Sequence, residues 1–464
     1  MKNSKNMKMI IILSVIILMF SSIVVYMVYF QLFKSSQLAA NDLNVRNVVD
    51  LSTLRRGTIF DKDGNILAYS EKDSDGKYIR KNNYNYMYTN VIGYNSSSYG
   101  KTGLEKIYNN ELTNNSVNKD ILAKIEDMYR KPTRGKDLYL TIDNMLQSYA
   151  YDLLGEEKGA IIVTEVKTGK ILAMVSKPTF NVNRLEEDWE EIINSNDANL
   201  LNRPTQGLYT PGSVFKLVTS IALLEENVSL DYEDKGKTSI NGYVVRNFNG
   251  QVYGEMDLKK ALQVSSNTYF VDKSIDLNPT KFKDILERFG LFKHVDYDFI
   301  KHEPIVNFSS GMKKEDKAAS AFGQGKNVFT PMDMHMITMG IGNDGTVMKP
   351  YLVDMIKNED KIELRNKSQI LSKAIDPEIA KKIREYLKST ADYNEYTISS
   401  TNIGGKTGTA EIGDDYNNAW YTALAPIENP QYAVTVIIEK TKSLGGEVAA
   451  PIGLKILDYL FSGI

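Results

Sequence analysis

Thr210-Pro211-Gly212-Ser213-Val214-Phe215-Lys216 runs straight into Leu217-Val218-Thr219-Ser220-Ile221-Ala222-Leu223-Leu224. The second stretch is apolar enough to be a buried helix, and Pro211-Gly212 gives it a tight entry. Ser213 is therefore expected at the helix N-terminus, where free backbone N–H groups and the macrodipole favour developing negative charge. Lys216 lies three residues further on, hence on the same face and within reach of the hydroxyl. A lysine held in apolar surroundings near another cation gives up its proton readily and can serve as a base. The Ser-x-x-Lys spacing alone is weak, because it also begins at Ser74, Ser98, Ser116 and Ser310, all in polar or loop-like surroundings. Only the copy at Ser213 joins a Pro-Gly entry to an apolar run.

Two further elements sharpen the reading. Ser265-Ser266-Asn267 follows a helical stretch, 258–264, and offers a hydroxyl and an amide to relay a proton and hold a peptide group. Ser-x-Asn is common in this chain, so its weight comes from order and context. Gly404-Gly405-Lys406-Thr407-Gly408-Thr409-Ala410-Glu411 is the third element. Lys-Thr-Gly also occurs at Lys101 and at Lys167, the latter read as a hairpin turn; only the copy at Lys406 is preceded by glycines and followed by Thr-Ala-Glu. Glycines such as Gly408 in an edge strand let a substrate backbone approach closely. Lys406 is expected to supply a fixed positive charge there, and Thr407 and Thr409 hydroxyls for a carboxylate.

Composition narrows the chemistry. The 464 residues carry 56 basic and 58 acidic side chains, with 42% hydrophobic residues. These are globular values for two or three domains, and nothing in the charge suggests a nucleic-acid partner. Cysteine is absent, which removes disulfides, thiolate nucleophiles, iron–sulfur clusters and the common zinc sites. His294, His302 and His335 are the three histidines; no two have ligand spacing, and His335 reads as a core side chain. Hydrolytic or acyl-transfer chemistry must run on Ser, Thr, Lys or carboxylates, with no metal and no cofactor expected.

Met9 to Phe33 is a run of 25 uncharged, mostly apolar residues, long enough for a hydrocarbon layer of roughly 30 Å. Lys2, Lys5 and Lys8 precede it, which keeps the head cytoplasmic and exports the rest. It is too long for a signal-peptide core, and Gln37-Leu38-Ala39-Ala40 has no clear cleavage site, so an uncleaved single-pass anchor is expected.

Beyond the anchor, the segments around Ile59 and Ile66 read as short strands about an Asp63-Gly64 turn. Tyr78 to Tyr99 reads as polar loop, and its six tyrosines suit either a carbohydrate-stacking surface or plain compositional clustering. Glu105–Leu112 and Asn118–Arg130 look helical, and Lys131–Lys136 is a breaker cluster at a domain boundary. After it come a strand over Leu138–Thr141, a helix capped by Asp143, a hairpin Ala160–Val166/Lys170–Ser176, two strands Ala419–Ala425 and Tyr432–Glu439, and a last helix Pro451–Leu460. Strands at both ends around a mostly helical middle imply one α+β domain whose sheet is completed by the C-terminus.

With Ser213, Ser265 and Lys406 in that order, the chain resembles the penicillin-binding proteins, serine D,D-transpeptidases with Ser-x-x-Lys, Ser-x-Asn and Lys-Thr-Gly motifs. Arg56-Gly57-Thr58-Ile59 with Asp63-Gly64 and Leu67-Ala68, Leu140-Thr141-Ile142-Asp143 with Gln147, and Phe322-Gly323-Gln324-Gly325 with Thr330-Pro331 extend the likeness over nearly the whole exported part. Too little chain precedes Ser213 for a glycosyltransferase domain, so it looks like a short class B member. The resemblance implies an anchor over 1–34, a small mixed pedestal domain over 35–136, and a transpeptidase domain over 137–464 with a central antiparallel sheet flanked by helices.

It also implies roles. Ser213 attacks a stem-peptide carbonyl, Lys216 is the base, Ser265 passes protons, and backbone N–H groups of Ser213 and Thr409 form an oxyanion hole. Asn267 holds the donor backbone, while Lys406, Thr407, Gly408 and Thr409 bind its carboxylate end. The implied partners are peptidoglycan stem peptides, β-lactams that mimic them, the membrane and a polytopic glycosyltransferase. Trp420 matches an aromatic beside the cleft in the family, although core packing explains it equally. Two other functions share the motifs: a D,D-carboxypeptidase or β-lactamase using water as acceptor, against whose class A form no Glu-x-x-Leu-Asn segment follows Ser265, and a non-catalytic scaffold or β-lactam sensor.

Overall fold

The structure, a computed structural model, describes residues 2–30, 54–114 and 134–462. Lys2–Tyr29 is one helix, and its Met9–Tyr29 portion has a mean hydropathy of 2.8 and side chains turned outward along its length. Such a helix buries nothing against the rest of the chain and has the length to cross a membrane. The end of the predicted span, 31–33, and the predicted helix Asn118–Arg130 lie outside the described residues.

The chain then builds two sheets. The first has six strands in the spatial order Lys361–Arg365, Val353–Asn358, Asp137–Leu140, Ile59–Phe60, Ile66–Lys72 and Tyr78–Asn82. The predicted strand pair around Asp63-Gly64 takes the fourth and fifth places. The Asp61 carboxylate accepts from the N–H groups of Asp63 and Asn65, and Gly64 takes φ +87°. Strands from both sides of residue 136 share this sheet, so the chain before that residue is joined to the chain after it by backbone pairing. Beneath it, the Glu105 carboxylate accepts from both Arg56 and Arg80, all three side chains being more than nine-tenths buried.

The stretch read as loop, Tyr78–Tyr99, is a correction. It holds the strand Tyr78–Asn82, a helical turn Thr89–Ile92 and a bridge strand Asn95–Ser96. The strand escapes recognition because the side chain it turns inward is Arg80, on Glu105, so no apolar alternation marks it. Its tyrosines largely serve packing: Tyr88 and Tyr94 are buried, and Tyr99 stacks on Trp189 at 3.9 Å between centroids. Glu105–Leu112 is helical as two short pieces, Gly103–Ile107 and Asn109–Leu112.

The second sheet is antiparallel throughout, in the order Gly404–Gly413, Tyr416–Ala425, Tyr432–Thr441, Gly159–Glu165, Ile171–Lys177. Alternate residues face two different cores: Ile161 and Val163 pack with the helices Asn144–Leu153 and Gly445–Ser462, while Ala160 and Ile162 pack on the helical middle. Each isoleucine or valine buried in this way is worth about 1.5–3 kcal/mol. Asp143 caps the first helix, and the buried Gln147 ties it to the sheet by a pair of bonds with the backbone of Met174. The C-terminal helix begins at Gly445, not Pro451. Gly445 is needed there, because a Cβ would stand 2.3 Å from the Gly408 carbonyl. The helix thus starts against the edge strand Gly404–Gly413.

Because the Arg56–Glu105–Arg80 cluster is buried, Glu105→Ala leaves two guanidinium groups without their shared anion. It is expected to cost about 3–5 kcal/mol, read as a lower denaturation midpoint of the detergent-solubilised chain. Glu287→Ala, which breaks the exposed pair with Lys283, should cost about 0.5 kcal/mol. Equal losses would remove the cluster from its organising role.

Candidate active site

Ser213 sits one step outside the position expected from sequence. Gly212–Phe215 is a turn of 3₁₀ helix, and the α-helix proper, Lys216–Glu225, begins with the lysine. The turn is held by backbone on two sides. The Gly212 N–H donates to the Gly323 carbonyl at 2.8 Å. Gly212 has φ +57°, and a Cβ on it would stand 2.9 Å from the backbone of Thr409, while one on Gly323 would stand 1.8 Å from the Gly212 carbonyl. Phe322-Gly323-Gln324-Gly325 is thus the clamp on the Ser213 turn, and glycine is required at both faces of that contact. Trp420, fully buried, donates from Nε1 to the Thr210 carbonyl at 3.0 Å, so it supports the turn from below and does not line a cleft.

Lys216 is fully buried. Its Nζ donates to the Ser265 carbonyl at 2.7 Å, to Ser265 Oγ at 3.1 Å and to Asn267 Oδ1 at 2.8 Å, and it lies 5.5 Å from the centre of the Phe270 ring. Lys406, 1% exposed, reaches the same Ser265 Oγ at 3.0 Å and its neighbour's carbonyl, Thr407 O, at 2.9 Å. One hydroxyl therefore bridges two buried amines. The half-buried Ser213 hydroxyl makes no hydrogen bond among the described residues, and Lys216 is aimed at Ser265 and Asn267. Catalytic hydrogen bonds are often long before substrate arrives.

Burial, and then the neighbouring Lys406 charge, push Lys216 well below the ordinary lysine range. Burial brings Lys406 down to about 7. The charge expected to be fixed at Lys406 therefore titrates near neutrality. Both lysines bind protons more weakly folded than unfolded, so their contribution favours folding increasingly as pH rises from about 7 towards about 10.

Thr407, Gly408 and Thr409 lie on the sheet's edge strand, whose outer side has no strand partner among the described residues. Gly408 leaves the contact with the Pro211 carbonyl open, a Cβ there standing at 3.0 Å. Thr409 Oγ1 accepts from the Gly445 N–H at 3.1 Å, and a Cβ on Gly446 would stand 2.6 Å from the Tyr396 hydroxyl and 4.0 Å from the Thr407 methyl. Ser265 is a non-glycine residue at φ +54°, a conformation that costs energy and is kept only where surroundings impose it. All eight predicted site residues therefore gather around one point. Tyr396, Gly445 and the buried Asp234 and Asn247 beneath Ser265–Asn267 were not foreseen, since nothing in their local sequence marks them.

His335 is buried between Thr164 and Thr435, which burial depresses to about 3, so it stays neutral and structural. Among the described residues no group of three or more His, Asp or Glu side chains is placed to hold a metal ion.

Residues 159–458 match the penicillin binding protein transpeptidase domain. The chain belongs to that family. Residues 56–138 match the penicillin binding protein A dimerisation domain. A peptidoglycan D,D-transpeptidase PbpA of Mycolicibacterium smegmatis is 30% identical, across 91% of this chain and 92% of the relative. A peptidoglycan D,D-transpeptidase MrdA of Haemophilus influenzae is 28% identical, across 85% of this chain and 67% of its own length. The ceftriaxone acyl-enzyme structure of penicillin-binding protein A from M. tuberculosis superposes with a TM-score of 0.82 at 27% identity, covering 89% of this chain and 99% of that one. With its one apolar N-terminal helix, this penicillin-binding protein is a single-pass membrane protein of mixed α+β fold.

In lysine-selective NMR of the full chain, Lys406 is expected to titrate near pH 7 and Lys216 lower than exposed lysines, whose value is about 10.4. Titration of both with the exposed set would remove the buried amine pair as the source of the base.

Proposed function

We propose that the chain cross-links peptidoglycan stem peptides by two-step acyl transfer through Ser213, inhibited by β-lactams. The observation that carries this reading is the pair of buried lysines sharing Ser265 Oγ beside the Ser213 turn and the edge strand. Neutral Lys216 takes the Ser213 proton as Oγ attacks the carbonyl of the penultimate D-alanine. That proton passes by way of Ser265 to the amine of the departing terminal D-alanine, and an ester on Ser213 remains. An amine of a neighbouring stem then attacks the ester, Lys216 takes its proton and returns it to Ser213 Oγ, and the new peptide bond is the cross-link.

The carbonyl oxygen turns negative in both steps. Backbone N–H groups of Ser213 and Thr409 would receive it, an arrangement in which one donor is worth roughly 3–4 kcal/mol. Asn267, bonded to Lys216 by its oxygen and to the Arg246 carbonyl by its nitrogen, sits where it borders the donor backbone. A carboxylate arriving at Lys406, Thr407 and Thr409 would raise the proton affinity of Lys406 and so create its own counter-charge. Gly408 leaves the strand's surface open to the donor.

Residues 1–34 would form a short cytoplasmic head and the membrane anchor, with the pedestal over 35–136 and the transpeptidase domain over 137–464 on the far side of the membrane, and a polytopic glycosyltransferase would supply the glycan strands. Lys2, Lys5 and Lys8 before the helix support this orientation.

The test is intact mass of the detergent-solubilised chain after incubation with a penicillin. An adduct that persists for an hour on the wild type and is missing from Ser213→Ala is expected. Lys216→Ala should fold normally and lose acylation. Rapid turnover of the adduct would instead favour a hydrolase, and no adduct with full support of growth by Ser213→Ala would favour a scaffold.

A further inference from the structure

Beneath Ser265-Ser266-Asn267 lies a polar cluster that the acyl-transfer steps do not use. The Asp234 carboxylate is 1% exposed and has no basic partner among the described residues. It is satisfied by donors alone: the Gly236 N–H at 2.8 Å, the Tyr253 N–H at 3.4 Å, Ser266 Oγ at 2.7 Å, Thr268 Oγ1 at 2.6 Å, and Asn247 Nδ2 at 2.9 and 2.7 Å to its two oxygens. Burial works against its charge, yet these bonds keep it below the ordinary carboxylate range.

Asn247, 3% exposed, faces the other way with its oxygen. Oδ1 accepts from the backbone N–H of Asn267 at 2.9 Å and of Thr268 at 3.2 Å, the open donors at the start of the helix Asn267–Ser274. An amide has one oxygen and one nitrogen end, and a carboxylate on one side with two N–H groups on the other permits only one orientation. Were it reversed, its NH₂ would confront the Asn267 N–H and its oxygen the carboxylate. One residue earlier, the Arg246 carbonyl accepts from Asn267 Nδ2, so the same strand fixes the amide whose oxygen meets Lys216.

We infer that Asp234 and Asn247 are positioning residues for acyl transfer: by fixing the orientation of the Asn247 amide, Asp234 holds Asn267 and the strained Ser265 against Lys216. This rests on the function proposed above and deepens it. Ser265 at φ +54° closes the helix Leu258–Gln263 from one side, its N–H on the Leu262 carbonyl at 3.3 Å and the Ser266 N–H on the Ala261 carbonyl at 3.0 Å, and its hydroxyl must meet two lysines at once. A turn with that demand needs an unyielding support on its other side too, and a buried carboxylate satisfied by six bonds to side chains and backbone supplies one there. Asp234 touches neither Lys216 nor Lys406, so its effect is transmitted through the turn. The charged group facing Lys216 is Lys406; the other groups packed on it are Ser265, Asn267 and the Phe270 ring.

The test is a pair of single substitutions and their exchange, on the full chain in detergent, with the rate of acylation by a penicillin followed against pH. Asp234→Asn sets two amide nitrogens against each other, and Asn247→Asp sets two carboxylates face to face. Each is expected to slow acylation at pH 7 about tenfold to a hundredfold. Loosening the turn lets water reach Lys216, so its proton is held more tightly and the acid limb of the pH profile moves up by about one unit. The double variant Asp234→Asn/Asn247→Asp restores a donor facing an acceptor and keeps an acceptor on the Asn267 and Thr268 N–H groups. It should recover to within about threefold of wild type, with the limb back in place. If a single variant does not fold, Thr268→Ala, which removes one donor and spares the amide, should show the same limb shift in smaller measure.

Singles whose folded fraction acylates at the wild-type rate with an unmoved limb would overturn the inference alone, as would a double variant no better than the worse single. Failure of the wild type itself to acylate would overturn the underlying reading of function and this inference with it.

Discussion

Two buried amines accept confinement because one hydroxyl stands between them. Ser265 Oγ is 3.1 Å from Lys216 Nζ and 3.0 Å from Lys406 Nζ. In water each amine would hold its proton; together, out of water, they compete for protons through a shared partner, and the first to yield is the one with both burial and a neighbouring charge against it. That is Lys216. The base in this site is made by position, and the residues that set the position include many that never meet a substrate.

The nucleophile depends on the same economy of approach. Gly212, Gly323 and Gly408 let three chain segments from distant parts of the sequence touch at backbone distance, and Trp420 closes the floor beneath them. The antiparallel sheet makes this contact stable because both of its faces are buried. A strand packed on two cores does not tilt, so the edge strand presents Lys406 to Thr409 at a fixed height above the Ser213 turn. Gly445 at the start of the last helix pins that strand from the far side, which is why a chain so long must be completed by its C-terminus before the site exists.

Much of this could be read from sequence, for identifiable reasons. Ser213 with Lys216, Asp143 as a cap, and the hairpin at Lys167-Thr168-Gly169 are local: three or four residues carry the whole physical argument. Ser265 and Lys406 needed context, and their order along the chain supplied it through a family resemblance. The strand Tyr78–Asn82 was missed because its inward residue is charged. The pairing of Val353–Asn358 with Asp137–Leu140 was missed because register between distant strands leaves no periodicity in either. Asp234 and Asn247 were invisible for a related reason. Apart from the Gly236 N–H, the partners of Asp234 are an amide, a backbone N–H and hydroxyls 13 to 34 residues away, and an aspartate in a polar stretch looks like any surface aspartate until the chain folds over it.

Two pairs of buried cations among the described residues are treated in opposite ways. In the six-stranded sheet's neighbourhood, Arg56 and Arg80 share Glu105, and the ion pairs are direct. Arginine cannot shed its proton at any accessible pH, so a buried pair of guanidinium groups must be given an anion. In the catalytic part, Lys216 and Lys406 are just as deeply buried, and among the described residues no carboxylate bonds to either. Lysine can shed its proton, and the withheld anion is what makes it do so. Placing a carboxylate beside Lys216 would make the fold more comfortable and the site inert. Asp234 shows how close the fold comes to that: a buried carboxylate lies below the turn that holds Lys216, with every one of its bonds taken by neutral donors. Its charge fixes the geometry of the base while leaving the base without a counter-ion.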